Sequence, residues 1–304
     1  MKQLVILSGK GGTGKSSVAA SFVHLASLSS ESNKPVIVDA DVDASNLGIL
    51  LDPDIQESHD FTGGLLAEID ENSCTNCGLC EQACRFDAII PPMEAENDFR
   101  ETYTVDPIAC EGCTACMYAC PVNAISMQEK TDGEWYRSNT RQGQLFHANL
   151  FPAADNSGKL VTLIRQQAQS NALDTDTDLI IIDGPPGIGC PVIAAATGVD
   201  YVLIVTEPTI AGIHDLNRAM EVTHHFNLPT FVVINKADLN PQVAQDIKQL
   251  CADKDIHCFG TIPFDTAVTE AMQQMLPVTA YKPKSPASLA LVKIWQQIKP
   301  YLES

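Results

Sequence analysis

Apolar residues along this chain fall in short unbroken runs, at 4–8, 35–39, 179–183, 201–206, 230–235 and 259–262. Runs of this length that do not alternate with polar residues predict strands buried on both faces of a parallel sheet. Between them lie stretches with helical periodicity, at 15–27, 213–225 and 242–252. A further strand is expected near 145–150 and a further helix from Lys159. Strand and helix alternate, so the pattern predicts an α/β fold with a doubly wound, mostly parallel sheet. In 285–302, Leu289, Val292, Trp295 and Ile298 recur three apart. This amphipathic stripe is expected to pack on the core rather than on a membrane. The lysines around it (Lys282, Lys284, Lys293, Lys299) are few, and the tail carries Glu303.

The alternation breaks off after about residue 66 and resumes after about residue 130. Inside the break is a repeat. Cys74, Cys77, Cys80, Cys84, Ala88 and Ile89 recur 36 residues later as Cys110, Cys113, Cys116, Cys120, Ala124 and Ile125. The expected organisation is therefore a large domain in two pieces, 1–66 and 129–304, with a small two-fold module at 67–128 inserted between them.

Composition narrows the chemistry. The formal net charge of −19 argues against nucleic acid and anionic membranes, both of which attract basic surfaces. No apolar run reaches the roughly 18 residues of a membrane span, and no secretory signal is visible, so a cytoplasmic location is expected. Eleven cysteines in such a chain suggest metal ligands rather than disulfides, and eight of them lie in the repeat. The others are Cys190, Cys251 and Cys258; the last two are expected to be buried thiols. The seven histidines show no ligand spacing, and the His224–His225 pair suits a helix C-terminus.

Each run has the C-x2-C-x2-C-x3-C spacing of a bacterial ferredoxin. The first three thiolates of such a run wrap one [4Fe–4S] cluster and the fourth ligates the other. One cluster is thus expected on Cys74, Cys77, Cys80 and Cys120, and the second on Cys110, Cys113, Cys116 and Cys84. Zinc, the alternative, seldom uses a third cysteine at this spacing. Arg85 stands where the second run has Pro121; it is either an electrostatic influence on the adjacent cluster or surface charge. From Ala67 to Gln128 there are 11 acidic and 2 basic residues. That acidity suits docking to a basic redox partner, or serves only solubility.

Gly9-Lys10-Gly11-Gly12-Thr13-Gly14-Lys15-Ser16, followed by Ser17, fits the G-x-x-x-x-G-K-[ST] phosphate loop and stands between a predicted strand and a predicted helix. Its glycines let backbone N–H groups close on phosphate oxygens, Lys15 neutralises charge, and Ser16 is the expected Mg²⁺ ligand.

Lys10 directly follows the first glycine. In this the loop resembles the deviant form found in the P-loop ATPase group of MinD, ParA, Mrp and the nitrogenase iron protein. The resemblance implies a homodimer with ATP between the subunits, Lys10 reaching across to the nucleotide held by the second subunit. In "VIVDADVDASNLG", Asp41 stands where that group has a switch I aspartate that orients water. Lys10, Lys15 and Asp41 are then the catalytic candidates. Of Asp39 and Asp43 nearby, one caps the following turn. Asp183 matches the Walker B aspartate, which holds Mg²⁺ through water, and Gly187 the switch II glycine that senses the γ-phosphate. Asn235-Lys236-Ala237-Asp238 alone matches the guanine-reading motif of GTPases. The similar ATPases read adenine with an asparagine at this place, and Lys10 favours ATP. Residues 260–265, with Pro263, resemble their base-pocket loop.

With the cysteine runs added, the whole chain resembles a MinD-like ATPase carrying an inserted two-cluster ferredoxin. Three functions compete: ATP-coupled electron transfer to a redox partner, ATP-dependent assembly or carriage of a metal cofactor, and a MinD-like regulatory switch that senses redox state. Two complete cluster sites favour the first. Cys190, seven residues after Asp183, resembles in offset the cluster-ligating cysteine of the nitrogenase iron protein. A transient metal site at a dimer interface and a buried packing thiol are both open for it, the packing thiol being favoured.

Overall fold

A computed structural model describes residues 1–29, 34–95, 98–152 and 154–303. The chain forms two compact units. The first comprises Met1–His59, Trp135–Asn149 and Ser157–Ser304; the second comprises Asp60–Glu134 and Leu150–Asn156. The second unit contains the whole interval 67–128 and adds 60–66, 129–134 and 150–156.

In chain order the elements begin β1 (Lys2–Ser8), α1 (Lys15–Ser27), β2 (Val36–Asp39), α2 (Leu47–Leu51) and β3 (Asp54–Ile69). Next come α3 (Leu79–Ala83), β4 (Ile89–Ile90), β5 (Met93–Ala95), β6 (Asp98–Arg100), β7 (Thr104–Val105), α4 (Ala115–Ala119) and β8 (Ile125–Asn139). Then follow β9 (Gln144–Leu150), α5 (Ser157–Asp174), β10 (Leu179–Pro186), α6 (Cys190–Ala196), β11 (Tyr201–Thr206), α7 (Ile210–His225) and β12 (Thr230–Ile234). The chain ends with α8 (Pro241–Asp253), β13 (His257–Thr261), α9 (Thr266–Gln273), α10 (Val278–Tyr281) and α11 (Pro286–Leu302). The chain passes from one unit to the other within β3 and again within β8.

In the first unit, β13, β12, β11, β1, β10, β2 and β9 lie side by side in that order, and each neighbouring pair is parallel. The apolar runs form these strands because both faces are covered. Leu4, Ile6, Ile181, Leu203 and Val233 join a core with Phe22 of α1 and Trp295 of α11. Val5, Ile182, Val202 and Ile204 between them are equally buried. The Phe22 and Trp295 rings stand 5.2 Å apart.

Two local readings need correction. The buried stripe of α11 is Leu291, Ile294, Trp295, Ile298 and Leu302, whereas Leu289 is exposed. Spacing of three alone drifts off the face of a 3.6-residue helix. The strand carrying Asp183 continues to Pro186 instead of turning after the aspartate, because β1 pairs with it as far as Ser8.

The second unit repeats its backbone as well as its cysteines. α3 and α4 are five-residue helices one period apart. Positive φ angles recur in the pairs Asn76 and Gly112, Gly78 and Thr114, and Asp87 and Asn123. Each pair is separated by the same 36 residues as the cysteines. Its core is small: Ala67, Cys80, Ile89, Tyr103, Cys116 and Ile125.

Candidate functional site

The phosphate loop joins β1 to α1 at the end of the sheet where β10 and β2 also finish. Gly12 and Gly14 have φ of 80° and 91°. This is the left-handed region, which a residue with a Cβ enters at a cost; at Gly14 a Cβ would also strike the amide of Asn235. Thr13 and Lys15 are buried, Ser16 and Ser17 half-buried, Gly11 exposed.

Lys15 is surrounded by aspartates. Its Nζ donates to Asp183 Oδ1 at 2.7 Å and stands 4.0 Å from Asp41 Oδ2. Burial alone would lower the ammonium's pKa, but the charges of Asp183, Asp39 and Asp41 outweigh it and raise the value. Burial, reinforced by the charge on Asp183, pushes Asp39 up to about 7. Burial also raises Asp41 to about 6, although Lys15 opposes the shift. Asp39 is the turn-capping aspartate: its carboxylate accepts from Ser45 Oγ at 2.7 Å and from the Leu47 N–H at 3.0 Å. Asp183 Oδ2 and Thr13 Oγ1 are buried without a hydrogen-bond partner among the described residues. Such oxygens fit a site built for a hydrated cation and phosphate.

Lys10 is held on Glu207, Nζ to Oε1 2.6 Å, and the other Glu207 oxygen meets Lys236 at 3.3 Å. Sequence reasoning missed Glu207, which no motif marks. Gly187 lies at the loop with φ 92°, and its N–H donates to the Ser8 carbonyl at 2.9 Å. Sensing a γ-phosphate through that N–H requires this bond to open.

Asn235 and Asp238 do more structural work than their motif suggests. Asn235 Nδ2 donates to the Thr13 carbonyl at 2.7 Å, and its Oδ1 accepts from the Lys236 N–H at 2.9 Å. Asp238 Oδ1 accepts from the Phe264 N–H at 2.6 Å. The two residues tie the phosphate loop and the 263–264 segment around one cavity of ≈ 180 Å³, whose walls include Ser17, Asn235, Pro263, Phe264, Val268 and Met272.

In the second unit the eight cysteines divide between two cavities. One is lined by Cys74, Cys77, Cys80 and Cys120. The other is lined by Cys84, Cys110, Cys113 and Cys116. Each cavity thus takes three thiols from one run and the fourth from the other. Burial raises the thiol pKa of Cys80 and of Cys116. The Ala124 N–H donates to Cys120 Sγ at 3.2 Å. Among the described residues, no three His, Cys, Asp or Glu side chains gather closely enough to hold a single metal ion. Four thiols around a cavity match in number the ligands that a [4Fe–4S] cluster takes. Tyr103 lines the first cavity without any sequence signal to announce it, and its hydroxyl donates to Glu81 at 2.8 Å.

Of the remaining cysteines, Cys251 is buried as expected and Cys190 is not. Cys190 is exposed, so a buried packing thiol is ruled out. The buried face of α6 is Val192, Ala195 and Ala196, and Cys190 at the helix start falls off it. Cys251 is buried and Cys258 half-buried. They are hydrogen-bonded to each other, which holds the Cys251 thiol above its usual range.

Comparison with known proteins places this geometry. The model of the CobQ/CobB/MinD/ParA nucleotide-binding domain (CbiA) matches residues 4–278. An uncharacterised protein of Methanocaldococcus jannaschii is 31% identical over 300 residues, covering 99% of this chain and 97% of its own. An iron–sulfur cluster carrier protein of Pyrococcus horikoshii is 23% identical over 314 residues, covering 97% of this chain and 85% of its own. Among solved structures, the septum site-determining protein MinD of P. horikoshii, complexed with Mg-ADP, superposes with a TM-score of 0.58 at 20% identity. That match covers 99% of this chain and 96% of the MinD chain. At this identity the likeness is one of fold.

Proposed function

The chain belongs to the CobQ/CobB/MinD/ParA nucleotide-binding family and is an ATPase of the MinD/ParA type, and on that premise we propose that it couples its nucleotide state to electron transfer. In this reading two copies of the chain close over two ATP molecules, and a redox partner protein takes electrons from a ferredoxin-like second unit. The observation that carries it is the division of eight cysteines into two cavities, each with the crossed three-plus-one set that two [4Fe–4S] clusters require. Cys74, Cys77, Cys80 and Cys120 would hold one cluster and Cys84, Cys110, Cys113 and Cys116 the other. When bound, such clusters supply one-electron transfer.

The nucleotide roles follow from charge and position. Lys15 would neutralise the phosphates, and Ser16 and the unpartnered Asp183 oxygen would hold Mg²⁺, which neutralises phosphate charge when bound. Asp41, whose carboxyl burial raises to about 6 without ligand, would be held ionised beside a bound Mg²⁺ and would orient the attacking water. Lys10 leaves Glu207 to reach the phosphate held by the second subunit. The segment bearing Asp39 and Asp41 leads through α2 into β3, along which the chain enters the second unit. A change at Asp41 therefore has a covalent route to the cysteines. The base would lie in the cavity lined by Asn235 and Pro263, and the resemblance carried by Lys10 favours adenine.

A second reading is ATP-dependent assembly or carriage of a metal cofactor, favoured by the full-length similarity to an iron–sulfur cluster carrier. Anaerobic incubation of the reconstituted protein with an apo-acceptor separates the two. Electron transfer predicts acceptor reduction with iron retained on this chain. Loss of iron to the acceptor on MgATP addition, without reduction, overturns it in favour of carriage.

A further inference from the structure

The two cysteine cavities are copies, but their surroundings are not. Matching them by the 36-residue period pairs Asp70 with Asp106, Glu71 with Pro107, Glu81 with Met117, Arg85 with Pro121 and Tyr103 with Ala67. The first pair is common to both copies; the others break the symmetry. At the cavity of Cys74, Cys77, Cys80 and Cys120, Asp70 and Glu71 precede Cys74. Glu81 follows Cys80 and is fixed there by the Tyr103 hydroxyl, which donates to it at 2.8 Å and itself lines the cavity. No Lys or Arg lies between Glu68 and Cys84.

The other cavity has mixed charge. Arg85 directly follows Cys84, one of its four thiols. Lys130 reaches the Pro107 carbonyl at 2.9 Å, close to the start of the same run. Asp87, Asp106 and Glu111 supply negative charge. The Asp155 carboxyl hydrogen-bonds with Glu111, and Asp132 stands 3.9 Å from Lys130. One side thus has carboxylates and no cation, whereas on the other Arg85 and Lys130 stand among the carboxylates.

Adding an electron makes a cluster more negative, which nearby carboxylates oppose and a guanidinium favours. Building on the reading that both quartets hold [4Fe–4S] clusters, we propose that Arg85 and Glu81 are potential-setting residues that make the two sites unequal. The Cys84, Cys110, Cys113 and Cys116 site takes the first electron; the Cys74, Cys77, Cys80 and Cys120 site is the stronger reductant. In this step a one-electron donor loses one electron, the first site gains it, and no bond is made or broken. An electron arriving at the second site then runs downhill to the first, so the asymmetry gives internal transfer a direction.

The test is an anaerobic redox titration of the full-length reconstituted protein, followed by EPR, after iron and sulfide analysis. Four irons and four sulfides per quartet establish loading. The wild type is expected to reduce in two steps, with about tenfold preference for the first site, or about 59 mV for a one-electron couple. Arg85→Gln lowers the upper step alone, Arg85→Lys restores it, and Glu81→Gln raises the lower step alone. Added salt narrows the gap, since both charges are exposed. Coincident steps in a fully loaded wild type, or upper and lower steps indifferent to these substitutions, overturn the inference while leaving the cluster reading intact. A chain that takes up no iron overturns both.

Discussion

The two units solve the same problem, how to hold charge in a folded protein, by opposite means. In the first, Lys15, Asp39 and Asp183 are buried where fully covered strands end, with Asp41 half-buried beside them, and the cation and carboxylates balance one another. In the second, Cys80 and Cys116 are buried with Ala67, Ile89, Tyr103 and Ile125 in one small core, and the other six cysteines of the two runs are half-buried or exposed. A core that small does not stabilise a module by apolar burial alone. On the proposed reading, the first unit carries its chemistry on a self-sufficient scaffold, whereas the second would be held together by the clusters it binds.

Iron removal sharpens this contrast most. Chelation of the reconstituted protein is expected to abolish amide protection throughout 60–134 while β1, β2 and β9 to β13 stay protected, as hydrogen exchange would record. Uniform loss or uniform retention across both units would break the comparison. Next in size is Lys15→Ala. It should eliminate ATP binding, seen by calorimetry, and destabilise the first unit by about 3–5 kcal/mol at pH 8, because buried carboxylates lose their cation. Iron content should not change.

The pH dependence follows from the raised carboxyls. Asp39 and Asp41 titrate at about 7 and about 6 in the folded, ligand-free chain, against 3.8 for the unperturbed group. The folded state binds more protons than the unfolded one across that interval. Their contribution to stability is therefore full below pH 4 or so and is lost as pH rises through 6 to 7. Urea melts between pH 5 and 8 should show the decline, and Asp39→Asn should flatten it. Lys10→Ala comes lower still. Its half-exposed contact with Glu207 is worth about 0–1 kcal/mol, yet ATP-dependent dimerisation, read by light scattering, should disappear. The smallest effect is expected of Cys190→Ser, which should leave thermal stability within about 0.5 kcal/mol, an exposed residue filling no cavity.

The sequence was most legible where a pattern has one physical cause. Runs such as 201–206 became strands with the same limits because only double-sided burial makes a run continuous. The cysteine partition was visible because ligand spacing is a local constraint. β3 and β8 were not, since their exposed polar residues carry no apolar period and depend on pairing that the chain does not announce. The partners of motif residues were hidden for the same reason. Glu207 beneath Lys10, and Thr13 and Phe264 as the partners of Asn235 and Asp238, are contacts between residues remote in sequence. Cys190 was misjudged because a cysteine's burial depends on which helix face it falls on, and the limits of α6 could not be read beforehand.

The central claim is that nucleotide and electron chemistry are coupled in one chain. Its most direct test is the redox titration of the loaded protein with and without MgATP, followed by EPR. The account predicts that MgATP shifts the potential or line shape of at least one cluster, and that Lys15→Ala, fully loaded, shows no such response. Superimposable titrations of the wild type in the presence and absence of MgATP, with ATP binding verified in the same sample, would contradict it.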